Sequence, residues 1–168
     1  MSVGPGYVHL HVHSSYSLLE GALSIARLAE LAKADRQPAL ALTDTDNMFG
    51  ALEFSGKLRG VGIQPIIGCA LCVDFGDQEV DPRLGHAALR LPRMVLLAAD
   101  EGGYRSLLRL TSRAFLDTPS DARAHIKLDW LDDTRGLIAL TGGPGGPLDA
   151  EFVAGRPERA QADRKSVV

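Results

Sequence analysis

Three histidines stand at alternate positions near the start of the chain, and their side chains are well suited to metal chemistry. His9, His11 and His13 are separated from one another by single apolar residues. Successive side chains of a β-strand point to opposite faces, so this spacing predicts that the three imidazoles share one face. Neutral imidazoles are good ligands for zinc and manganese. The pattern predicts a metal site or, alternatively, a polar strand end whose histidines hydrogen-bond to the backbone.

Carboxylates follow the next apolar segment of the chain. Residues 39–43 are typical of a short buried strand, and Asp44 and Asp46 come directly after it. A carboxylate at this position would complete a metal site with the histidines. The alternative, which we favour, is a turn and a helix cap, because Asp46 or Asn47 can accept from the amides of a helix that starts near Met48.

The two cysteines form a single C-x-x-C pattern, which occurs in both zinc sites and redox sites. Cys69 and Cys72 lie in an apolar segment that predicts a buried strand. Residues three apart on a strand face opposite ways, and no second C-x-x-C completes a zinc site. We therefore predict two small buried apolar side chains.

The rest of the chain alternates between strand-like and helix-like segments. We predict strands over residues 7–13, 39–43, 64–73, 94–98 and 137–141. We predict helices over residues 25–32 (with Ser24 as cap), 48–59 and 104–115, and loops over 76–92, 117–127 and 142–147. This alternation predicts an α/β fold with a parallel sheet, either open or closed into a barrel. In both, functional residues gather at the carboxyl ends of the strands.

Helical spacing also groups side chains on the faces of the predicted helices. Ile25, Leu28, Ala29 and Ala32 follow helical spacing in the first helix, Phe49, Leu52 and Glu53 lie on one side of the second, and Tyr104, Leu107, Leu108 and Thr111 face inward in the third.

Composition limits the class of protein. The chain has 168 residues, is 45% hydrophobic and carries a formal net charge of −3, which gives no general case for nucleic-acid binding. No apolar segment approaches the length of a membrane span, and residues 1–6 lack the features of a signal peptide. We therefore expect a cytoplasmic protein.

A complete barrel needs about 200–250 residues, so a barrel with five strands would be a partial one.

The chain divides into an N-terminal tail, one domain and a C-terminal tail. We expect the tail at residues 1–6, the domain at residues 7–155 and a disordered tail at residues 156–168. Residues 163–168 resemble the translated read-through of a sequencing adapter, the alternative being an ordinary disordered tail.

Six segments, in order along the chain, resemble the polymerase-and-histidinol-phosphatase (PHP) domain of bacterial DNA polymerase III alpha subunits, above all the alphaproteobacterial type. They are HLHVHSSYSLLEGA (9–22), PALALTD (38–44), NMFGALEF (47–54), GIQPIIGC (62–69), VLLA with GYRSLL (95–98, 103–108) and GLIALTGG (136–143). The resemblance implies a distorted seven-stranded β/α barrel, related to the TIM barrel, of which this chain holds about five strands. In members with an intact site, histidines and acids hold several zinc or manganese ions and hydrolyse phosphoesters.

The resemblance also implies a degenerate metal site. His11, His13 and Glu20 match ligand positions of the family, and we interpret them as vestigial. Four other ligand positions carry residues that depart from the family pattern: Thr45, Ala70, Arg93 and Gly143. Alanine and glycine have no side-chain donor, and an arginine stays protonated and cannot ligate a metal. From charge alone, we predict that Arg93 replaces the ion by pairing with Glu20 or Asp44.

For function, the resemblance implies the N-terminal part of a DNA-directed DNA polymerase whose magnesium-dependent nucleotidyl transfer takes place in a palm domain outside this chain. This part alone would be inactive, with a structural role and a docking surface for a proofreading exonuclease subunit. A sliding clamp, a clamp loader and DNA would be partners of the whole polymerase. Alternatives are a metal-dependent phosphoesterase of the histidinol-phosphatase type, a 3′→5′ exonuclease, or the related error-prone polymerase.

Overall fold

The structure is a computed structural model that describes residues 7–76, 91–141, 143–153, 155–158 and 160–161. Its strands are β1 (Ala39–Leu42), β2 (Gln64–Asp74), β3 (Arg93–Ala98), β4 (Ile126–Lys127) and β5 (Leu137–Leu140). Its helices are α1 (Ile25–Ala34), α2 (Ala51–Gly60), α3 (Glu101–Leu116) and α4 (Pro147–Val153), with short 3₁₀ turns at Leu128–Leu131 and Gly143–Gly145. The predicted α/β class is confirmed for the described part of the chain.

The described strands form one mixed sheet. Its strand order is β1-β2-β3-β5, and β4 pairs with the carboxyl end of β2. β1 and β4 run parallel to β2, whereas β3 runs antiparallel to both β2 and β5. The prediction of a fully parallel sheet is therefore wrong at β3. Two parallel strands need a crossover connection that is usually helical, and the sequence between β2 and β3 has no helical pattern.

Residues 7–13 do not form the predicted strand. They run beside β1, where the amide of Ala41 donates to the His9 carbonyl (2.9 Å) and the amide of Thr43 donates to the Val12 carbonyl (2.8 Å). The two donors are two residues apart, but the two acceptors are three apart. A regular ladder needs equal spacing on both strands, so the extra residue breaks the pairing and the alternation of side chains.

Helices α1 and α2 pack together over one part of the core. The residues of α1 that follow helical spacing are buried, and the Ser24 hydroxyl accepts from the Arg27 amide, so the predicted helix and its cap are confirmed. α2 starts at Ala51, later than predicted, with Gly50 as its N-cap. Its buried side chains are Ala51, Phe54 and Leu58.

The side of α2 that carries Leu52 and Glu53 faces solvent. Phe49 precedes the helix and is 76% exposed, Leu52 is 86% exposed, and Glu53 is exposed as well. The predicted start of the helix at residue 48 is too early, because the Asn47 side chain accepts from the Phe49 amide and makes a turn before the helix.

Helix α3 covers one face of the sheet. Its buried residues are Gly103, Ser106, Leu107, Leu110 and Ala114. The prediction holds for Leu107, is wrong for Leu108, which is exposed, and leaves Tyr104 and Thr111 half-buried. The spacing of the apolar residues allows either Leu108 or Leu110 on the inner face, and the packing against β2 and β3 selects Leu110.

The two cysteines are buried and free, as predicted. Cys69 lies in the cluster between the sheet and α3, together with Leu71 and Leu107. Cys72 is an odd number of residues away on β2 and therefore faces the other side of the sheet, the side of Ala70 and Val95. Burial raises the pKa of both thiols, which act as small apolar side chains.

The chain after β5 contains more helix than the sequence pattern indicated. The predicted turn at 142–147 includes the 3₁₀ turn, and α4 follows it. Within the predicted tail, Pro157, Glu158, Ala160 and Gln161 are helical, while residues 163–168 lie outside the described part. None of the described helices is long and apolar enough to cross a membrane.

Candidate functional site

The candidate site lies at the carboxyl ends of β1 and β2. The turn after β1 supplies Thr45 and Asp46, and the segment beside β1 supplies the histidines. Because β3 is antiparallel to β2, its first residue, Arg93, lies opposite Cys72 near the carboxyl end of β2. The reversed strand therefore brings an arginine to the sheet edge at which the other polar residues gather.

His11 and His13 face each other. Their Nε2 atoms are 3.4 Å apart, and their rings meet edge to face with centroids 4.7 Å apart. The Nδ1 atom of His11 is 2.9 Å from the Thr43 hydroxyl, and that of His13 is 3.1 Å from the Ser17 hydroxyl. Burial, followed by the charges of His13 and Arg93, lowers the pKa of His11 and favours its neutral form.

His9 does not join the other two histidines. It packs edge-on against the ring of Tyr7, with centroids 4.8 Å apart, and lines a groove with Val12 and Leu28. The prediction that all three imidazoles share one face is therefore wrong for His9. The irregular pairing beside β1 removes the strict alternation on which that prediction depended.

Asp44 anchors the loop that follows the histidines. It is only 1% exposed and accepts three short hydrogen bonds, from the Ser14 amide (2.6 Å), the Ser14 hydroxyl (2.7 Å) and the Ser17 hydroxyl (2.6 Å). A buried carboxylate is stable only when its oxygens are satisfied in this way. Asp44 thus fixes residues 14–21 against β1, and it does not pair with Arg93.

Glu20 at the end of that loop is the partner of Arg93. The Arg93 guanidinium donates from Nη1 to both carboxylate oxygens of Glu20, at 3.0 and 3.1 Å. The Thr45 hydroxyl donates to the same carboxylate at 2.5 Å. The hydrogen bond from Thr45 is the largest cause of the lowered pKa of Glu20, and Arg93 acts in the same direction. The predicted ion pair with Arg93 is confirmed for Glu20.

Asp46 and Arg123 form a second ion pair at this edge, which sequence reasoning missed. Arg123 Nη2 lies 3.1 Å from Asp46 Oδ2, and the Asp46 Oδ1 atom is buried without a partner among the described residues. Asp46 has a backbone φ of 57°, an uncommon left-handed conformation for a residue other than glycine. Arg123 belongs to a predicted loop 77 residues away, so no local sequence pattern indicates the pair.

The residues present do not fit a bound metal in the observed arrangement. Glu20 is engaged by a cation and a hydroxyl, Asp44 by serines, and Ala70 offers no donor. Gly143 likewise has no side chain. In the described ranges no group of three or more histidine, cysteine or acidic residues is arranged to hold a metal ion. The role of His11, His13 and Glu20 as former ligands stays a prediction.

The sequence matches the PHP domain over residues 9–166, and the chain belongs to the PHP domain family. Among curated proteins, it is 42% identical over 163 residues to the DNA polymerase III subunit alpha of Caulobacter vibrioides, covering 95% of this chain and 14% of that protein. It is 36% identical over 155 residues to the same subunit of Escherichia coli K12, covering 90% of this chain and 12% of that protein.

The chain therefore spans only about an eighth of the length of these relatives. Among solved structures, an amidohydrolase from Chromobacterium violaceum with bound sulfate and no metal is similar, with a TM-score of 0.48 and 25% identity, covering 64% of this chain and 32% of that chain. The resemblance to the PHP domain of DNA polymerase III alpha subunits, drawn from the sequence segments, is confirmed.

Proposed function

We propose that this chain is part of the N-terminal PHP domain of a bacterial DNA polymerase III alpha subunit and acts in DNA replication in the cytoplasm. Its similarity to curated alpha subunits supports this assignment. The whole subunit would be a DNA-directed DNA polymerase that uses magnesium and works on DNA with a sliding clamp and a clamp loader. The PHP domain itself would be non-catalytic and would support the polymerase structurally.

One observation carries the non-catalytic role: the Glu20 carboxylate is occupied by the Arg93 guanidinium. Metal-dependent phosphoester hydrolysis needs carboxylates and imidazoles that are free to hold the ions. Here a permanently charged side chain holds the acid, and among the described family ligand positions the donors left are His11 and His13. Two histidines alone give too few ligands for a stable catalytic metal site.

An enzymatic assay tests this role directly. We expect no hydrolysis of a phosphomonoester, and no 3′→5′ removal of nucleotides from a labelled single strand, when manganese or zinc is added to the purified protein. The same preparation carrying His11→Ala serves as the baseline, because it removes half of the facing histidine pair. Turnover that exceeds this baseline would contradict the non-catalytic role.

A phosphoesterase remains the second candidate, because the Nε2 atoms of His11 and His13 face each other as metal ligands do. It predicts that turnover appears with manganese and is lost in the His11→Ala variant. The first candidate predicts equal, background rates for both proteins. The difference in turnover rate between the wild-type protein and His11→Ala therefore distinguishes the two candidates.

The proposed docking role has a candidate surface beside the site. Leu18 and Leu19 on the anchored loop, and Phe49 and Leu52 near the start of α2, are all strongly exposed. The Asn47 side chain donates to the Tyr16 carbonyl and so joins the two segments that carry them. Exposed groups of large apolar residues mark protein interaction sites.

We assign this surface to the proofreading exonuclease subunit, which is the partner that the family resemblance implies. The relatives are named as subunits, which supports a protein partner of some kind. Phe49→Glu should weaken binding of the purified exonuclease subunit by about tenfold or more, since it places a charge in an apolar contact. Phe115→Glu, on the exposed side of α3, is the matched control and should leave binding unchanged. Equal binding by both variants would exclude this surface.

A further inference from the structure

The two facing histidines have the spacing of a preformed metal-ligand pair. Zinc–nitrogen bonds of about 2.0–2.1 Å in tetrahedral geometry place two ligand nitrogens about 3.3–3.4 Å apart. The Nε2 atoms of His11 and His13 are 3.4 Å apart. Their Nδ1 atoms are oriented by the hydroxyls of Thr43 and Ser17, which leaves the facing Nε2 atoms as the available nitrogens.

A third candidate ligand lies beside the histidine pair but is engaged elsewhere. Glu20 Oε2 is 3.5 Å from His13 Nδ1. Both oxygens of this carboxylate accept from Arg93. The Glu20 side chain is 38% exposed, so it has room to turn toward the Nε2 atoms once Arg93 no longer holds it.

We propose that Arg93 keeps divalent metal out of this site, and that removing its charge allows His11, His13 and Glu20 to bind zinc. Arg93 acts in two ways. It holds the Glu20 carboxylate, and it places a permanent positive charge beside the position of a doubly charged ion, which that charge repels. The inference depends on the proposed non-catalytic role of the site.

Zinc titration of purified variants tests the proposal. The wild-type protein and Arg105→Ala, a control on the exposed surface of α3, should show no saturable zinc binding when zinc chloride alone is titrated in a calorimeter at neutral pH. Arg93→Ala should bind one zinc per chain at least about tenfold more tightly than wild type. Of these three proteins, only Arg93→Ala should retain zinc when the metal content is measured after dialysis.

Two further variants keep the test decisive. Arg93→Gln removes the charge but keeps a hydrogen-bonding side chain, so it should also gain zinc binding and replaces Arg93→Ala if that variant does not fold. Adding His11→Ala to either variant should abolish the gain, because it removes one of the paired nitrogens. A gain that survives His11→Ala would place the zinc elsewhere and overturn the proposal.

The remaining outcomes separate this inference from the proposed function. If wild type and both Arg93 variants fail to bind zinc, the role of Arg93 is overturned while the non-catalytic assignment stands. If wild type binds zinc as tightly as Arg93→Ala, the role of Arg93 is overturned and the non-catalytic assignment fails with it.

Discussion

Replacing Asp44 by alanine should destabilise the protein strongly, because this buried carboxylate joins the histidine-bearing loop to β1. Asp44→Ala removes the acceptor of three hydrogen bonds, two from Ser14 and one from Ser17. It leaves the Ser14 amide without its partner in a site that water does not reach, since both residues are buried. The Ser17 hydroxyl loses its acceptor as well, although it still accepts from the Thr45 amide.

The size of the effect follows from these contacts. A hydrogen bond to a charged group contributes about 1.5–3 kcal/mol, but bonds that share one acceptor are not additive. A buried donor left without its acceptor costs about 1–3 kcal/mol, and Asp44→Ala leaves the Ser14 amide and two serine hydroxyls in this state. We therefore expect Asp44→Ala to lower the free energy of unfolding by about 3–5 kcal/mol. Asp44→Asn keeps an acceptor oxygen and the shape of the side chain, so we expect a loss of about 1–3 kcal/mol.

Urea unfolding followed by circular dichroism measures both losses. Asp133→Ala is the matched control, because Asp133 is exposed and its change should stay within about 0.5 kcal/mol. The order of stability should be wild type and Asp133→Ala first, Asp44→Asn next and Asp44→Ala last. A loss below about 1 kcal/mol for Asp44→Ala would refute the reasoning that this carboxylate anchors the loop.

Two further predictions concern glycine packing and the buried thiols. Gly103→Ala should lower the melting temperature, because its Cβ would lie 1.8 Å from the Gly136 carbonyl oxygen. Gly56→Ala should raise the free energy of unfolding by about 0.5–1 kcal/mol, because a Cβ at this position of α2 meets nothing within 4 Å. The opposite order of stability would contradict the packing. Cys69 and Cys72 should resist a thiol reagent until urea unfolds the protein, since burial raises the pKa of both thiols above 9.0. Rapid reaction of the folded protein with the reagent would contradict the burial of the thiols. For the same reason the free energy of unfolding should fall as the pH rises above 9.0, where only the unfolded chain ionises its thiols.

Local patterns predicted the strands β1, β2, β3 and β5, the start of α1 and the burial of both cysteines. These features depend on short apolar segments and on neighbouring residues, which are visible in the sequence. The failures have non-local or geometric causes. The segment beside β1 has an extra residue relative to its neighbour, and Asn47 shifts the start of α2 by a turn.

Of the two ion pairs of the candidate site, only one could be predicted from the sequence. The ion pair between Glu20 and Arg93 could be predicted, because both positions were placed by resemblance and their charges are opposite. The ion pair between Asp46 and Arg123 could not, because it joins residues 77 apart and Arg123 lies in a segment without periodicity. Opposite charges are common in any sequence, so charge alone does not select a pair.

The acids at this edge of the sheet are each held by donors of the protein itself. An acid at a partly buried sheet edge needs a counter-charge or several donors, because desolvation penalises the charged form. Asp44 has neutral donors from two serines, whereas Glu20 has an arginine and a threonine. The residues at positions 45 and 93 thus supply the hydrogen bonds and the positive charge that an ion would otherwise supply to Glu20.

This balance explains why Arg93 and Glu20 must be considered together. Removing Arg93 leaves Glu20 with the Thr45 hydroxyl as its remaining short contact, and a carboxylate beside two imidazoles then favours an external cation. Removing Glu20 instead leaves the Arg93 charge next to the same imidazoles, which repels a cation. The two substitutions therefore disrupt one ion pair, but only the removal of Arg93 should create zinc binding, a difference that a purely structural salt bridge would not produce.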